Sequence, residues 1–448
     1  MKKVLCRLFP ALLLAALPAA SFAAEISVDS TTILRFQEDR TGFESKTLVP
    51  ATQFLGLDIY KLGDGNLSAH LFGWGRVDLA DRHETVDNSD GRLDGSLTYG
   101  YLQYRFNNAN ARARAGRFFV TEGIINEQVD GVSARTDLPY GFGVSAFGGA
   151  TVHTVDLPGL GTDGKGDGIF GGRVNYRSKG MLEIGLSGVY ESEAPTIVGG
   201  SNLPGSFGDH RMLGADLWFS PHHMVQVTGR TNYNTETSSV AEHRYLLQVT
   251  PRKDLVLTAS FDEQHDRDYF YSSILFARML KNLSQDSRAI GGSATYTVAK
   301  NAELSADYKH YNRDVGSADR FGGELRGTLL DNSVRSGFGY HYLRANPEFA
   351  ITGASTSGSY HEVRGYVMRD TKSYFAAGDL IAYIFNEPVF NKDSAWEAIG
   401  SVGYHLSPAL ALSGDLSYGQ NPQYDDELRG LVRLTYNMNM TTGKGGTK

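Results

Sequence analysis

Near its carboxyl end the chain reads Leu428-Arg429-Gly430-Leu431-Val432-Arg433-Leu434-Thr435-Tyr436-Asn437, a segment whose pattern recurs along the chain. In a β-strand, successive side chains point to opposite faces of the sheet. One face of this segment therefore carries Leu428, Gly430, Val432, Leu434 and Tyr436, and the other carries Arg429, Leu431, Arg433 and Thr435. A soluble sandwich covers such an apolar face with a second sheet, whereas a transmembrane barrel turns it to lipid and encloses the polar face. The alternation alone does not choose between these two architectures.

The amino terminus has the pattern of a cleavable secretory signal. Basic residues (Lys2, Lys3 and Arg7) precede an apolar run at 11–17, and a small-residue cleavage site ends at Ala23. The apolar run is well short of the ~20 residues that span a bilayer, so a membrane anchor is the weaker interpretation. We therefore predict that the protein is exported and cleaved after Ala23.

The mature chain would contain no thiol, because the single cysteine, Cys6, lies inside the signal. Disulfides, iron–sulfur clusters, thiolate zinc sites and cysteine-linked haem are thereby excluded for this chain, and any haem would belong to a partner. Loss of Lys2, Lys3 and Arg7 moves the formal net charge from −7 to −10. This acidity is spread along the chain, which argues against a nucleic-acid-binding surface.

From about residue 30 the sequence divides into segments of roughly ten residues with period-two alternation, the length that a tilted strand needs to cross a bilayer. We count about 22 such segments, with a range of about 18 to 24. The composition agrees, because 24 Tyr, 23 Phe and 52 Gly beside only 13 Pro favour strands and tight turns. The sequence therefore predicts an all-β fold, a transmembrane antiparallel up-and-down β-barrel.

Two kinds of connection alternate between the predicted strands. One kind is short and rich in turn residues, as at 63–66, 107–110, 178–180 and 407–408. The other kind is mostly longer and polar, as at 81–94, 153–167, 192–209, 264–287 and 345–357. Outer-membrane barrels combine short periplasmic turns with longer outer loops, and an even strand number brings both termini to the periplasmic side. Apolar residues at helical spacing in the longest loop predict an amphipathic helix that enters the lumen, docks a partner or packs on the rim.

The face opposite the leucines carries charged residues in many of the predicted strands. In a barrel these side chains would line a water-filled lumen, because an arginine on the lipid face would cost about 2–4 kcal/mol at mid-membrane. The predicted pore-lining residues are Arg112, Arg114, Arg117, Arg173, Glu183, Asp216, Arg230, Arg244, Glu324, Arg326, Arg335, Arg364, Glu397, Asp415, Arg429 and Arg433. Arg112 and Arg114 share a face, and Arg117 joins them as a positive patch only if Gly116 forms a β-bulge. Aromatic residues recur near the ends of the apolar runs, where an interfacial girdle is expected.

The sequence contains no recognisable catalytic motif. It has no G-x-S-x-G elbow, H-E-x-x-H helix, G-x-x-x-x-G-K-[ST] loop or calcium-loop pattern. The 12 histidines are scattered, with His222 and His223 in a predicted turn and His341 and His405 on polar faces. We therefore assign no catalytic residue, no metal site and no cofactor, and predict that the chain is not an enzyme.

These features together resemble bacterial outer-membrane channel barrels, and the resemblance covers nearly the whole mature chain. The last strand, Gly430-Leu431-Val432-Arg433-Leu434-Thr435-Tyr436-Asn437, looks like the insertion signal of such barrels. The expected organisation is a signal peptide at 1–23, an outer-membrane barrel over 24–438 and a flexible periplasmic tail over 439–448. The chain departs from the family in one respect. These proteins usually end on an aromatic residue, whereas this chain continues through Met438 to Lys448.

A second resemblance is to the barrels of metal-reducing bacteria that sheathe multihaem cytochromes. It rests on Gly116-Arg117-Phe118-Phe119-Val120-Thr121-Glu122-Gly123, followed by Val129-Asp130-Gly131-Val132. Barrel width grows with strand number, and about 22 strands enclose a lumen that known transporters keep plugged. The first predicted strand begins at about residue 30, soon after the predicted cleavage site at Ala23, which leaves no room for a plug domain. The chain's own loops or another protein would therefore fill the lumen.

The sequence supports two main hypotheses about function. The leading one is a porin-like outer-membrane channel for passive diffusion of small polar or charged solutes. The alternative is a barrel sheath that holds a multihaem c-type cytochrome for electron transfer across the outer membrane. A soluble exported β-sandwich or adhesin and a barrel-embedded hydrolase rank lower. The predicted partner is outer-membrane lipid; a homo-oligomer and a multihaem cytochrome are left open, and no nucleic acid is expected.

Overall fold

The structure is a computed structural model that describes residues 24–39, 46–79, 93–152, 168–178, 180–195, 207–236, 238–265, 287–313, 316–346, 358–422 and 424–442. The predicted signal peptide and the helix predicted within 264–287 lie outside these described residues. In the part of the chain that is described, no helix has the length and apolar character needed to cross a membrane.

The described chain is almost entirely β-structure. A single 3-10 turn, Pro139–Gly141, interrupts the described strands. The strands are β1 Ala24–Asp39, β2 Lys46–Leu48, β3 Pro50–Leu62, β4 Leu67–Asp78, β5 Leu93–Phe106, β6 Ala111–Glu122, β7 Ile125–Asp137, β8 Phe142–Thr151, β9 Gly168–Ser178, β10 Leu182–Pro195, β11 Phe207–His222, β12 Val225–Asn234, β13 Ser239–Arg252, β14 Leu255–Gln264, β15 Ser287–Ala299, β16 Ala302–Arg313, β17 Gly316–Leu329, β18 Val334–Ala345, β19 Tyr360–Asp370, β20 Tyr374–Val389, β21 Lys392–Ser407, β22 Leu410–Asn421 and β23 Tyr424–Thr442.

The sheet closes on itself, since β1 pairs antiparallel with both β23 and β3. The short β2 also pairs with β1 and continues into β3 after Val49, so the two form one interrupted strand. The wall is therefore a closed antiparallel barrel of 22 strands. This confirms the predicted fold class and strand number.

The last strand is longer than the sequence pattern indicates. Met440 pairs with Ile26 and Thr441 with Glu25, and the ladder ends where Thr442 meets Ala24. Residues 439–442, which the sequence places in a flexible tail, therefore belong to the barrel wall. They are ordered because β1 begins early enough to offer each of them a backbone partner.

The two faces of the strands have the predicted character. In β23, Leu428, Val432 and Leu434 expose 57%, 43% and 40% of their surface, as side chains on the outside of a barrel would. On the opposite face, Arg173 of β9 bonds to Asp216 of β11, which lies two strands away. Side chains from non-adjacent strands converge only on the concave side of a curved sheet. The charged face is therefore the interior.

Aromatic side chains form two bands on the outer surface. We call the barrel end that holds the start of β1 and the end of β23 the turn end, and the opposite end the loop end. Exposed aromatics near the turn end are Tyr104, Phe106, Phe142, Tyr296, Tyr374, Tyr404 and Tyr436. Those near the loop end are Phe170, Tyr233, Tyr308, Phe321, Tyr340 and Tyr418. Such bands suit the two interfaces of a bilayer.

The connections at the turn end are short, as predicted. In the β3–β4 turn, the backbone N–H of Asn66 donates to Asp64 Oδ1 at 3.1 Å. Hydrogen bonds from Asn66 lower the pKa of the Asp64 carboxyl. The loop end is less regular than expected, because some of its connections are equally short, including 123–124 and 390–391.

The face assignment can be tested with a matched pair of substitutions in the last strand. Val432 faces outward and Leu431, its neighbour, lies on the inner face opposite Asp415. We expect Val432→Arg to lower the free energy of unfolding by about 2–4 kcal/mol, because its charge would be placed in lipid. Leu431→Arg should change it little, since that charge reaches the interior. Urea unfolding in lipid vesicles measures both, and equal losses would contradict the assignment.

Candidate functional site in the barrel interior

The inner wall carries a network of ion pairs that links neighbouring strands. Between β12 and β16, Arg230 bonds to Glu242 at 2.9 Å and Arg244 to Glu242 at 3.2 Å. Arg244 also bonds to Asp262 at 3.3 Å, and Lys309 bonds to Asp262 at 3.2 Å. Positive and negative charges alternate along this chain of contacts, so this part of the wall is close to neutral.

A second ion-pair network covers β16 to β19. Asp307 accepts bonds from Arg320 at 3.1 Å and from His341 Nε2 at 2.8 Å. Glu362 lies 3.6 Å from Arg320. Ion pairs between neighbouring strands hold long side chains against the wall, which keeps the middle of the interior free of them.

The backbone register places all the predicted pore-lining residues except Arg117 on the inner face of the barrel. The residues on that face are Arg112, Arg114, Arg173, Glu183, Asp216, Arg230, Arg244, Glu324, Arg326, Arg335, Arg364, Glu397, Asp415, Arg429 and Arg433.

One hairpin leaves the wall and enters the interior. The ladder between β5 and β6 stops at the pair Gly100–Arg117, and the ladder between β7 and β8 ends at Val129–Thr151. Residues 118–128, which we call the inner hairpin, pair across β6 and β7 up to the turn, and the described ladders to β5 and β8 do not extend to them. The sequence predicts a break between strands here, at 121–128; instead both strands continue to a tight turn at Gly123 and Ile124.

The inner hairpin is held by an apolar cluster inside the barrel. Phe118, Val120, Ile125 and Val129 pack with Phe147 and Ile169 from the inner wall of β8 and β9. Phe118 is 1% exposed and Val129 is fully buried. Each apolar side chain removed from water contributes about 1.5–3 kcal/mol. Packing of this extent fixes the inner hairpin against one side of the wall.

The tip of the inner hairpin contacts the wall at β10 and β11. The backbone N–H of Ile124 donates to Ser187 Oγ at 3.2 Å. A side chain in place of Gly214 would overlap Ile124, so the glycine makes room for the tip. Beside this contact, Arg173 is 7% exposed and bonds to both Glu183 and Asp216. The tip therefore rests on a neutralised part of the wall.

Glycines allow the sheet to bend where the inner hairpin begins. Gly116 has φ +124°, a conformation that side chains rarely adopt. A Cβ atom at Gly131 would overlap the carbonyl oxygen of Gly148, and Gly149 is equally crowded by Asp130. Three neighbouring strands thus have glycine at the bend. Close backbone approach at this point requires it.

Arg117 does not join Arg112 and Arg114, because no residue is inserted at Gly116 and the register is continuous. It lies on the other face of β6, where Nε and Nη2 each bond to the Asp130 carboxylate at 2.7 Å. Its Nη1 donates to the carbonyl oxygen of Leu97 at 3.0 Å. Arg117 and Asp130 therefore join the base of the inner hairpin to the edge of β5 that β6 leaves unpaired.

An arginine cluster forms where the inner hairpin curls back over the wall. Arg112 and Arg114 of β6 and Arg135 of β7 line a cavity of about 80 Å³, together with Glu122. Glu122 lies at the end of β6, yet its carboxylate is 3.2 Å from Arg135 and 3.9 Å from Arg112. A straight strand would separate residues 112 and 122 by about 33 Å. One carboxylate among three guanidinium groups leaves an excess of positive charge.

The alternation pattern did not identify Glu122 and Arg135 as members of this cluster. The sequence nevertheless contains one indication of the inner hairpin. Phe118 and Val120 share a face with Arg112 and Arg114, and Phe147 and Ile169 also lie on inner faces. Apolar side chains at interior positions on adjacent strands indicate that protein, rather than water, covers that part of the wall. Among the described residues, no group of three or more potential metal ligands occurs.

Comparison with known proteins yields matches in fold only. No protein-family model and no curated protein matches the chain. A variant of the ferric enterobactin receptor PfeA from Pseudomonas aeruginosa matches with a TM-score of 0.55 and 12% identity, over 92% of this chain and 80% of that chain. OccAB4 of Acinetobacter baumannii matches with a TM-score of 0.47 and 10% identity, over 94% of this chain and 100% of its own. OccK9 (OpdG) of Pseudomonas aeruginosa matches with a TM-score of 0.45 and 13% identity, over 93% of this chain and 98% of its own.

The chain therefore has the fold of a bacterial outer-membrane β-barrel. The match to the receptor supports this conclusion, since it covers 92% of this chain. It confirms the first resemblance at the level of the fold. The resemblance to cytochrome-sheathing barrels stays a prediction.

The bend at Gly116 can be tested by adding a single methyl group. We expect Gly116→Ala to lower stability by about 1–3 kcal/mol, because alanine is strained at this φ and its Cβ would overlap the wall at Gly100. Gly400→Ala is the matched control, since nothing lies within 4 Å of a Cβ at that glycine. Urea unfolding of both variants provides the measurement. A Gly116→Ala protein as stable as Gly400→Ala would show that the bend does not depend on glycine.

Proposed function

We propose that this chain is an outer-membrane channel through which small polar or charged solutes diffuse passively. The observation that carries the proposal is the inner hairpin, which narrows a charged interior and brings an arginine cluster to the narrowed section. A closed apolar outer surface with aromatic bands supports placement in a membrane. Outer-membrane lipid is accordingly the partner that we propose for that surface.

The charges of the interior support selection at the arginine cluster rather than along the whole wall. Elsewhere, ion pairs such as Arg230 with Glu242 and Arg320 with Asp307 cancel much of the local field. At the cluster, Glu122 faces both Arg112 and Arg135, and Arg114 adds a further positive charge. Selectivity depends on the charges at the narrowest section, so the channel should prefer anions although the chain is acidic overall.

A cytochrome sheath receives less support from the structure. The inner hairpin occupies part of the interior that an enclosed haem protein would fill. Its buried apolar side chains, Phe118, Val120 and Ile125, are already packed against β8 and β9, whereas Phe119 of the same hairpin is 44% exposed. A cytochrome partner and a homo-oligomer stay predictions, and the channel is the function that we favour.

Recordings from single channels in planar bilayers test the proposal, and a reversible cross-link tests the part played by the inner hairpin. We expect the purified protein to conduct ions. In an Ile124→Cys/Ser187→Cys variant, the contact between these residues would allow a disulfide to lock the tip to the wall. If the hairpin is a fixed constriction, oxidation and reduction should leave the conductance unchanged.

The control is Ile124→Cys with Leu186→Cys, because Leu186 is 69% exposed on the outer surface and cannot meet the tip. The chain has a single natural cysteine, Cys6, within the predicted signal, so no competing thiol is expected. A purified barrel without any conductance would overturn the proposed function. A conductance that rises on reduction would instead make the hairpin a movable gate.

Charge substitutions at the arginine cluster should change ion selectivity in opposite directions. We expect Glu122→Gln to strengthen the preference for anions and Arg135→Gln to weaken it, because each changes the net charge of the narrowed section by one unit. Reversal potentials across a salt gradient measure the preference. Arg429→Gln is the control, since Arg429 pairs with Glu427 on β23, away from the cluster. Equal shifts in all three variants would place selection elsewhere.

A further inference from the structure

An aromatic strip follows the inner wall of β3, β4 and β5. Its members are Phe54, His70, Phe72, Tyr99 and Tyr101. Ring centroids are separated by 6.3 Å from Phe54 to Phe72, 5.6 Å from Phe72 to Tyr99, 5.9 Å from Tyr99 to Tyr101 and 4.8 Å from His70 to Tyr101. Each of these residues is only partly buried, and the side chain of His70 is 10% exposed.

The backbone register and the glycines fix the strip on the inner face. Phe72 lies opposite Tyr99 and His70 opposite Tyr101 in the β4–β5 ladder. A Cβ atom at Gly56 would lie 3.3 Å from the Phe72 ring, so glycine leaves room for that ring along the wall. At its other end, Tyr101 packs edge-on against Phe118 of the inner hairpin, with centroids 6.3 Å apart. The strip therefore leads to the narrowed section.

At the Tyr101 end, the aromatic strip lies next to the arginine cluster, which carries an excess of positive charge. The guanidinium group of Arg114 lies 5.4 Å from the centre of the Tyr101 ring. Its Nε donates to Gln103 Oε1 at 3.0 Å. In the described part of the chain, no carboxylate forms an ion pair with Arg114, whereas Arg112 and Arg135 share Glu122. Arg114 is thus the cation of the cluster that is available to donate hydrogen bonds to the carboxylate of a solute.

Two acidic groups beside the strip have partners, and a third, Asp29 of β1, is exposed on the same inner face opposite Gly56. Asp58 bonds to His70 Nδ1 at 2.6 Å, and Asp94 bonds to Arg76 at 3.4 Å. Arg114 has no carboxylate partner in the described chain, and a guanidinium group binds a carboxylate with two parallel hydrogen bonds. The chemistry favours an anion.

We propose that the aromatic strip and Arg114 form a binding site for small organic anions that carry a flat apolar group, of which benzoate is the simplest. The ring of the solute packs against Tyr99 and Tyr101, and its carboxylate accepts hydrogen bonds from Arg114. Apolar contact and charge recognition then act on the same molecule as it reaches the inner hairpin. This inference rests on the proposed channel function and names the class of solute.

Equilibrium dialysis of the full-length, detergent-solubilised protein tests binding without requiring conduction. The probes are benzoate, acetate and maltose. We expect benzoate to bind about tenfold more tightly than acetate, since only benzoate can pack on the rings. Maltose should bind more weakly than benzoate. Block of single-channel current by the same three solutes gives a second readout.

Two variants separate the contributions of the rings and of the charge. Tyr99→Leu keeps an apolar side chain but removes the ring, and should weaken benzoate binding by about 2- to 10-fold with little effect on acetate. Arg114→Gln should weaken both anions by about tenfold or more. The matched controls are Phe375→Leu, an inner-wall ring on β20, and Arg326→Gln, which is paired with Glu324. Both should bind benzoate as the unaltered protein does.

The outcomes distinguish this inference from the channel proposal. Equal binding of benzoate and acetate, or no effect of Arg114→Gln, would overturn the site even if the barrel conducts. Binding of maltose in place of benzoate, lost in Tyr99→Leu, would make the strip a saccharide site and also overturn it. Benzoate binding by a barrel that passes no current would preserve the site and refute the channel. Phe72→Leu replaces Tyr99→Leu if electrophoretic mobility shows that the latter does not fold.

Discussion

Every other feature of this barrel requires that its backbone hydrogen-bond ladder close on itself. No water is available in the core of a bilayer, so every backbone N–H and C=O group there needs a partner in the protein. The pairing of β1 with both β3 and β23 meets this requirement by leaving the sheet without a free edge at the seam. Once the ladder is closed, period-two alternation sends one set of side chains to lipid and the other to a shared interior.

The interior then has to accommodate all the charges that lipid excludes. Because the sheet is concave on this side, carboxylates and guanidinium groups from neighbouring strands come within bonding distance, as in the series from Arg230 to Lys309. Pairing makes most of the wall near neutral. The arginine cluster differs because a single carboxylate, Glu122, faces Arg112 and Arg135 while Arg114 turns to an aromatic ring. The local excess of charge, rather than the net charge of the chain, is what a solute would meet there.

The inner hairpin is formed at the expense of part of the ladder. Residues 93–99 of β5 lie on the loop-end side of Gly100, where β5 pairs with β4 but not with β6. Side chains replace some of the lost backbone contacts, since Arg117 donates to the carbonyl oxygen of Leu97 and Gln128 to that of Thr98. The apolar cluster around Phe118 and Val129 adds burial that a straight wall would not provide. The barrel thus has the packed inner hairpin in its lumen in place of a stretch of regular sheet.

Alternation along the chain was enough to identify the barrel, because it is a local property that each strand displays independently of the others. It placed Leu428, Val432 and Leu434 outside and Arg429 and Arg433 inside, and it yielded the number of strands. It did not determine the inner hairpin, whose tip joins Ile124 to Ser187, 63 positions away. Alternation shows whether a side chain avoids lipid, but it does not distinguish an interior filled with water from one filled with protein. The folded chain was needed to show that Phe118 faces protein, that Arg117 bonds to Asp130 and that Glu122 returns to Arg135. Each of these contacts depends on how sharply the sheet bends at Gly116.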